Sequence, residues 1–210
     1  MRIHSLKLWA AAVVAAGCVV LVLAAERAEG GIINPSFETG DLTGWTALAS
    51  WTILADGGSD GLHYASVLSP EPEPPGGPSI PPEENQGWAT AIEQVFTMPG
   101  WAETLSIDIR NEGLTVTVHL SQDGAVPFIP INILDGAASQ APNGFTRYTA
   151  AVSQYAGLDV RLTVNVSADD VPPARLRTSV DNVLVVPEPG TLAMVWAAAS
   201  LLGLRDRLNS

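Results

Sequence analysis

The sequence predicts an all-β fold, a β-sandwich of about eight to ten short strands, and three observations carry that expectation. Apolar residues recur with period two: Leu105, Ile107 and Ile109 alternate with Ser106, Asp108 and Arg110, and Val160, Leu162, Val164 and Val166 alternate with Asp159, Arg161, Thr163 and Asn165. Glycine, asparagine, aspartate and proline punctuate the gaps, and no stretch of helical length and pattern stands between them. Beyond Cys18 the chain has no cysteine, so packing or bound ions, not disulfides, must stabilise it. The body, residues 31–186, is roughly 155 residues and forms one ordinary domain with room for a sizeable core.

Residues 1–30 read as a secretory signal. Arg2, His4 and Lys7 precede the uncharged stretch Leu8 to Ala25, with small-residue cleavage sites after Ala24, Ala25 or Gly30. An uncleaved anchor is the alternative, and both versions place the body outside the cytoplasm. Cys18, after Ala15-Ala16-Gly17, resembles a lipoprotein attachment site, but Val19 to Ala25 stays apolar where such proteins turn polar, which favours removal with the signal.

Within the body the expected strands are Leu62 to Leu68, Trp88 to Thr97, Leu105 to Arg110, Leu114 to Leu120, Ile129 to Leu134, Phe145 to Val152, Val160 to Val166 and Arg177 to Val186. Between the first two, residues 69–85 carry Pro70, Pro72, Pro74, Pro75, Pro78, Pro81 and Pro82, which exclude a helix or central strand and predict a partly extended surface loop.

Charge narrows the partners. The chain has a net charge of -12, and Lys7 is its only lysine. Such a body repels phosphate backbones and anionic headgroups, which argues against nucleic acid, and suits divalent cations and neutral glycans. The sequence also argues against an enzyme: beyond the signal only His63 and His119 remain, without metal spacing or a nucleophile elbow. Phe37 and Trp45 are expected in the core. Trp51, Trp88 and Trp101 are the candidate ligand-binding aromatics, Trp101 because it follows Pro99-Gly100 in a turn where an indole can stack on a sugar ring. Tyr64, Tyr148 and Tyr155 could add hydroxyl contacts, with Tyr155 the best suited to packing.

Asn34-Pro35-Ser36-Phe37-Glu38-Thr39-Gly40, continuing to Gly44-Trp45, resembles the opening of carbohydrate-binding modules with the galactose-binding-domain-like jelly roll. Ser179-Val180-Asp181-Asn182-Val183 resembles the family's last strand, and Gln94-Val95-Phe96 and Tyr155-Ala156-Gly157-Leu158-Asp159-Val160 fit its middle strands. The resemblance implies a jelly roll and a structural Ca²⁺ tying the first strand to the last. It assigns to that ion the carboxylates of Glu38 and Asp181, the carbonyl of Ser36, and Asp60 with the carbonyl of His63. The alternative is that Glu38 and Asp181 are turn or surface carboxylates bonded to backbone; burial of the pair would favour the ion.

Residues 187–210 carry an address. Val186-Pro187-Glu188-Pro189 stands before the apolar run Gly190 to Leu204 (190–204), followed by Arg205 and Arg207 in a basic end (205–210). The order resembles the PEP-CTERM sorting tail, in which an exosortase recognises the motif 186–189, a membrane segment and a basic cluster. At about 1.5 Å per residue the apolar run reaches roughly 22 Å, short of the ~30 Å hydrocarbon core, so the bilayer must thin locally or flanking residues be borrowed. Asp206 interrupts the basic cluster. The resemblance implies export through the secretion machinery, transient inner-membrane anchoring by the tail, and release to the cell surface or extracellular matrix. Two functions fit: a surface-displayed module for neutral polysaccharide, or a structural component of a matrix or biofilm without a small ligand.

Overall fold

The computed structural model describes residues 31–48, 50–71, 88–124, 130–168 and 174–187. The signal 1–30, the proline-rich stretch from Pro72 onward and the sorting tail from Glu188 onward lie outside the described residues. Within them no helix is long and apolar enough to cross a membrane.

The described residues form eleven strands: β1 (Thr46–Leu48), β2 (Thr52–Leu54), β3 (Tyr64–Leu68), β4 (Trp88–Thr97), β5 (Thr104–Asn111), β6 (Thr115–Gln122), β7 (Ile131–Asn132), β8 (Ala137–Gln140), β9 (Thr146–Ala151), β10 (Asp159–Ala168) and β11 (Arg177–Val186). They assemble into a five-stranded sheet, β1-β4-β10-β6-β7, and a six-stranded sheet, β2-β3-β11-β5-β9-β8. Every pairing is antiparallel. The inward residues of both sheets, among them Ile92, Leu105, Ile107, Val118, Leu120, Leu162, Val164 and Val180, make one core. This is the period-two pattern expressed as packing.

Three strands escaped the sequence pattern. β1, β2 and β8 have three or four residues each and lie at or next to sheet edges, too short for an alternation to register. The expected strand Ile129 to Leu134 is shorter than its pattern. Asn132 closes it by accepting Leu134 N–H at 3.2 Å, which starts the 3₁₀ turn Ile133–Asp135.

The opening segment, residues 31–44, is laced to the sandwich by buried Gln94. Its Nε2 donates to the carbonyls of Ile33 (3.0 Å) and Gly44 (2.8 Å), and its Oε1 accepts Ile33 N–H at 2.7 Å. Gly44 has φ +84, and a Cβ there would sit 2.7 Å from Ile33 Cβ, so both the conformation and the close approach require glycine. Phe37 and Trp45 lie in the core as expected, with ring centroids 5.3 Å apart. Tyr155 is likewise packed there.

Candidate functional site

The outer face of the six-stranded sheet holds the main cluster of buried charge. Because Leu105, Ile107, Ile109 and Val180 face the core, Asp108 and Asp181 must face the other way. The register places Arg147, Asp108 and Asp181 in one row across β9, β5 and β11. A sequence reading leaves that face to solvent. Instead both aspartates are 0% exposed, so β5 is buried on both sides.

The cover is the loop from Asp56 to His63, held by a second small core of Tyr64, Phe145 and Ala141 with Leu54. Tyr64 donates its hydroxyl to Asp56, and Asn143 Nδ2 donates to the Gly58 carbonyl at 2.6 Å. The Arg110 guanidinium lies over both Tyr64 (4.8 Å) and Phe145 (4.7 Å). These contacts press Gly58 and Ser59 onto Asp181.

The two aspartates are compensated differently. Arg147 binds Asp108 through both oxygens, Nε to Oδ1 and Nη2 to Oδ2, each at 2.7 Å, and Asn182 Nδ2 adds a bond at 3.2 Å. Burial pushes Asp108 up, but the Arg147, Ser59 and Asn182 hydrogen bonds outweigh it and hold the carboxyl below its ordinary range. Asp181 accepts Ser59 N–H at 2.5 Å, Ser59 Oγ–H at 3.1 Å and Asn182 N–H at 2.8 Å, with no cationic side chain beside it among the described residues. Burial, with the charge of Asp60 adding to it, pushes Asp181 up to about 6. Asn182, at φ +48, sits where the β5–β11 ladder slips, which lets Asp181 and Asn182 both engage the cluster.

Of the residues expected at a cation site, the structure gathers most. His63 N–H donates to Glu38 Oε1 at 2.8 Å, and His63 Nδ1 lies 3.4 Å from Glu38 Oε2. A Cβ placed on Gly58 would lie 2.5 Å from Asp181 Oδ2 and 2.7 Å from the His63 carbonyl, so those two oxygens converge on one point. Burial first, then the charge of Glu38, raises Asp60. Among the described residues Ser36 makes no hydrogen bond to the cluster, although its neighbour Pro35 accepts Val183 N–H at 2.9 Å and so joins the opening segment to β11. The donor set is hard oxygen throughout, which suits Ca²⁺. Among the described residues no three acidic or histidine side chains close on a single point, so an ion there would draw on carbonyls and water. Glu38, its side chain 43% exposed and lowered chiefly by the His63 N–H, behaves as a backbone-bonded surface carboxylate, whereas Asp181 is fully enclosed.

The three candidate tryptophans separate. Trp51 is enclosed in the core, its Nε1 without a partner, and offers no face to a sugar. Trp88 is half-buried against the core and lines a cavity of ≈ 380 Å³ with Ser69 and Arg175. Trp101 is half-buried in the turn closed by Ala102 N–H to Pro99 C=O at 2.9 Å, and unlike Trp88 it is not packed against the core. Of the three, Trp101 is therefore the one whose ring is best placed to stack on a ligand.

No protein-family model matches the chain, and no curated protein matches it. Solved structures do. The module TmCBM61, in complex with β-1,4-galactotriose, is similar at 12% identity and a TM-score of 0.49, over 74% of this chain and 96% of that one. A carbohydrate-binding module of the β-sandwich superfamily with promiscuous specificity is similar at 11% identity and a TM-score of 0.50, over 76% of this chain and 63% of that one. The K3 cleaved adhesin domain of Lys-gingipain from Porphyromonas gingivalis is similar at 16% identity and a TM-score of 0.46, over 74% of this chain and 98% of that one. At that identity the likeness to the promiscuous module shows a shared β-sandwich fold and nothing beyond it.

Proposed function

We propose that this chain is an exported, non-catalytic carbohydrate-binding module of the jelly-roll type that takes neutral polysaccharide and is braced by a structural Ca²⁺. The observation that carries the reading is the two-sheet sandwich it shares with a promiscuous carbohydrate-binding module. Trp101, in its turn and outside the packed core, supplies the stacking surface in this reading. Asp181, with Asp60 and the His63 carbonyl, supplies the ion's oxygens, and Glu38 and the Ser36 carbonyl complete the set that the resemblance assigns. Residues 1–30 and the motif 186–189 with its apolar and basic sequel support export, exosortase sorting and display at the cell surface or in the matrix.

A glycan array probed with the purified protein tests the function: binding to neutral glycans over sulfated or uronate-rich ones is expected. Trp101→Ala is expected to lower affinity for the best neutral glycan by about 0.5–1.5 kcal/mol with an almost unchanged melting temperature. A large loss of stability in that variant would assign Trp101 to packing. Intact-mass measurement on material from the native host tests sorting, with a mature start between Ala25 and Ile32 and no residues 190–210 expected; full-length protein in the cytoplasm would refute export. The burial of Trp51 favours a second reading, a matrix component without a small ligand, which an empty array would support.

A further inference from the structure

We propose that β8 is a self-association edge, through which two copies of this chain pair antiparallel about a twofold axis at Ser139 and join their six-stranded sheets into one. The inference goes beyond the carbohydrate reading and does not depend on it. A sheet edge carries unpaired N–H and C=O groups, and folded proteins blunt it with charge, proline, bulges or very short strands. β8 closes its sheet at one end and is the longest edge strand among the described residues, with 4 residues against 3 in β1 and β2 and 2 in β7. Its sequence, Ala137-Ala138-Ser139-Gln140, has no charge and no proline, its register with β9 runs without a bulge, and every residue in it is exposed. Tyr148 of β9 packs against the core, so Ala138, level with Tyr148, stands on the core side of the sheet, and its exposure means that the five-stranded sheet stops short of β8.

The ladder fixes which groups are free. Ala141 N–H bonds the Phe145 carbonyl at 2.9 Å, so by alternation Ala137 and Ser139 exchange bonds with β9, while Ala138 and Gln140 turn their N–H and C=O groups away from it. Those groups have no partner among the described residues. A second β8, antiparallel and centred on Ser139, brings Ala138 of each copy level with Gln140 of the other and satisfies every one of them. The long side chain then meets the small one. Charge selects the occupant. With a net charge of -12, copies of this chain repel on most approaches, and a contact that avoids this must be uncharged. β8 meets that condition, and its neighbour across the ladder from Ser139 is Arg147, already bonded to Asp108. Asp135, just ahead of the strand, is bonded to Asn132 at 3.1 Å, and the twofold sets the Asp135 of the two copies at opposite ends of the pairing. A basic peptide would seek carboxylates, which this edge lacks. A strand of 4 residues buries far less than the roughly 1,200–2,000 Å² of a stable interface, so the dimer is weak and reversible.

The test is sedimentation equilibrium on the full chain carrying Cys18→Ser, which leaves it without cysteine. A monomer–dimer equilibrium is expected, and it should tighten as salt screens the net charge. Ser139→Lys, which sets like charges across the axis, and Ala138→Pro, which removes an outward N–H without touching the β9 ladder, are each expected to weaken it at least tenfold. Single cysteines read the register. Residues facing each other in a non-hydrogen-bonded pair lie about 4.5 Å apart at Cα, within disulfide range, so Ser139→Cys is expected to cross-link two copies under mild oxidation. Ala138→Cys and Gln140→Cys, each set off along the strand from its own symmetry mate, are expected to stay uncrosslinked. A chain that stays monomeric at every concentration, with Ser139→Cys uncrosslinked, would overturn the proposal. So would a dimer that Ser139→Lys leaves intact, or one that cross-links through Ala138→Cys or Gln140→Cys instead. Ser139 is exposed, so Ser139→Lys carries the decision if Ala138→Pro fails to fold.

Discussion

Replacing Arg147 by methionine is expected to destabilise the domain by about 3 kcal/mol or somewhat more, measured by urea unfolding at pH 7. The guanidinium holds both oxygens of a carboxylate that no water reaches, and its removal leaves Asp108 with Asn182 and Ser59 as its supports. Methionine keeps most of the stem's packing, so the loss reports the stranded charge rather than a cavity. The double replacement Arg147→Met with Asp108→Leu is expected to recover much of that loss, because the penalty lies in the unpaired carboxylate. A single-variant loss below about 1 kcal/mol would mean that the neutral hydrogen bonds sustain Asp108 unaided.

The second large effect is a dependence on pH that calcium reverses. Asp181 is pushed up to about 6 from an ordinary 3.8, so between those values the folded state holds a proton that the unfolded state has released. In chelator, stability is therefore highest below the unfolded value and falls as pH rises through about 4 to 6, by on the order of 3 kcal/mol. Asp60, also raised, acts in the same sense, whereas Asp108, lowered, contributes stability that is lost only as pH falls below the ordinary range. At the proposed site Ca²⁺ would take the ionised form, so adding it at pH 7 is expected to restore about 2.7 kcal/mol at a hundredfold excess over its dissociation constant. Asp181→Asn should flatten the decline and abolish the calcium effect, whatever its absolute stability. A melting curve at pH 7 unmoved by either chelator or calcium would refute the bound ion.

The long strands were legible because each buries at least one face: β4 and β11 have the boundaries their pattern predicts. The three short strands were not, since a strand of three or four residues owes its existence to its neighbour's open hydrogen bonds rather than to its own alternation. At the cluster, the resemblance brought Asp181, Asp60 and His63 to attention, but Asp108 and Arg147 were missed. Alternation assigns Asp108 to the outside of a sheet and cannot say that a loop closes over it. The available signal was Gly57-Gly58 beside Ser59 and Asp60, a stretch able to lie close against a sheet. Trp51 misled for the opposite reason: between strands of three residues each there is no alternation to assign its face, and only the packing of the two sheets encloses it.

β11 is an interior strand of its sheet, paired antiparallel with β3 on one side and β5 on the other, and its final carbonyl, Val186, accepts Glu103 N–H at 3.2 Å. Any pull transmitted through the residues after Pro187 therefore enters the domain along the axis of a clamped strand. The β5 ladder flanks the end where the load enters, Leu184 to Val186, and the β3 ladder joins it from Arg177 to Val180; these bonds run across that axis, so the load shears them together instead of peeling them singly. Mechanical failure then follows the rate of a concerted rupture rather than the fraying of an end. On the proposed surface display, a module built this way holds fast under drag applied through its C-terminal strand.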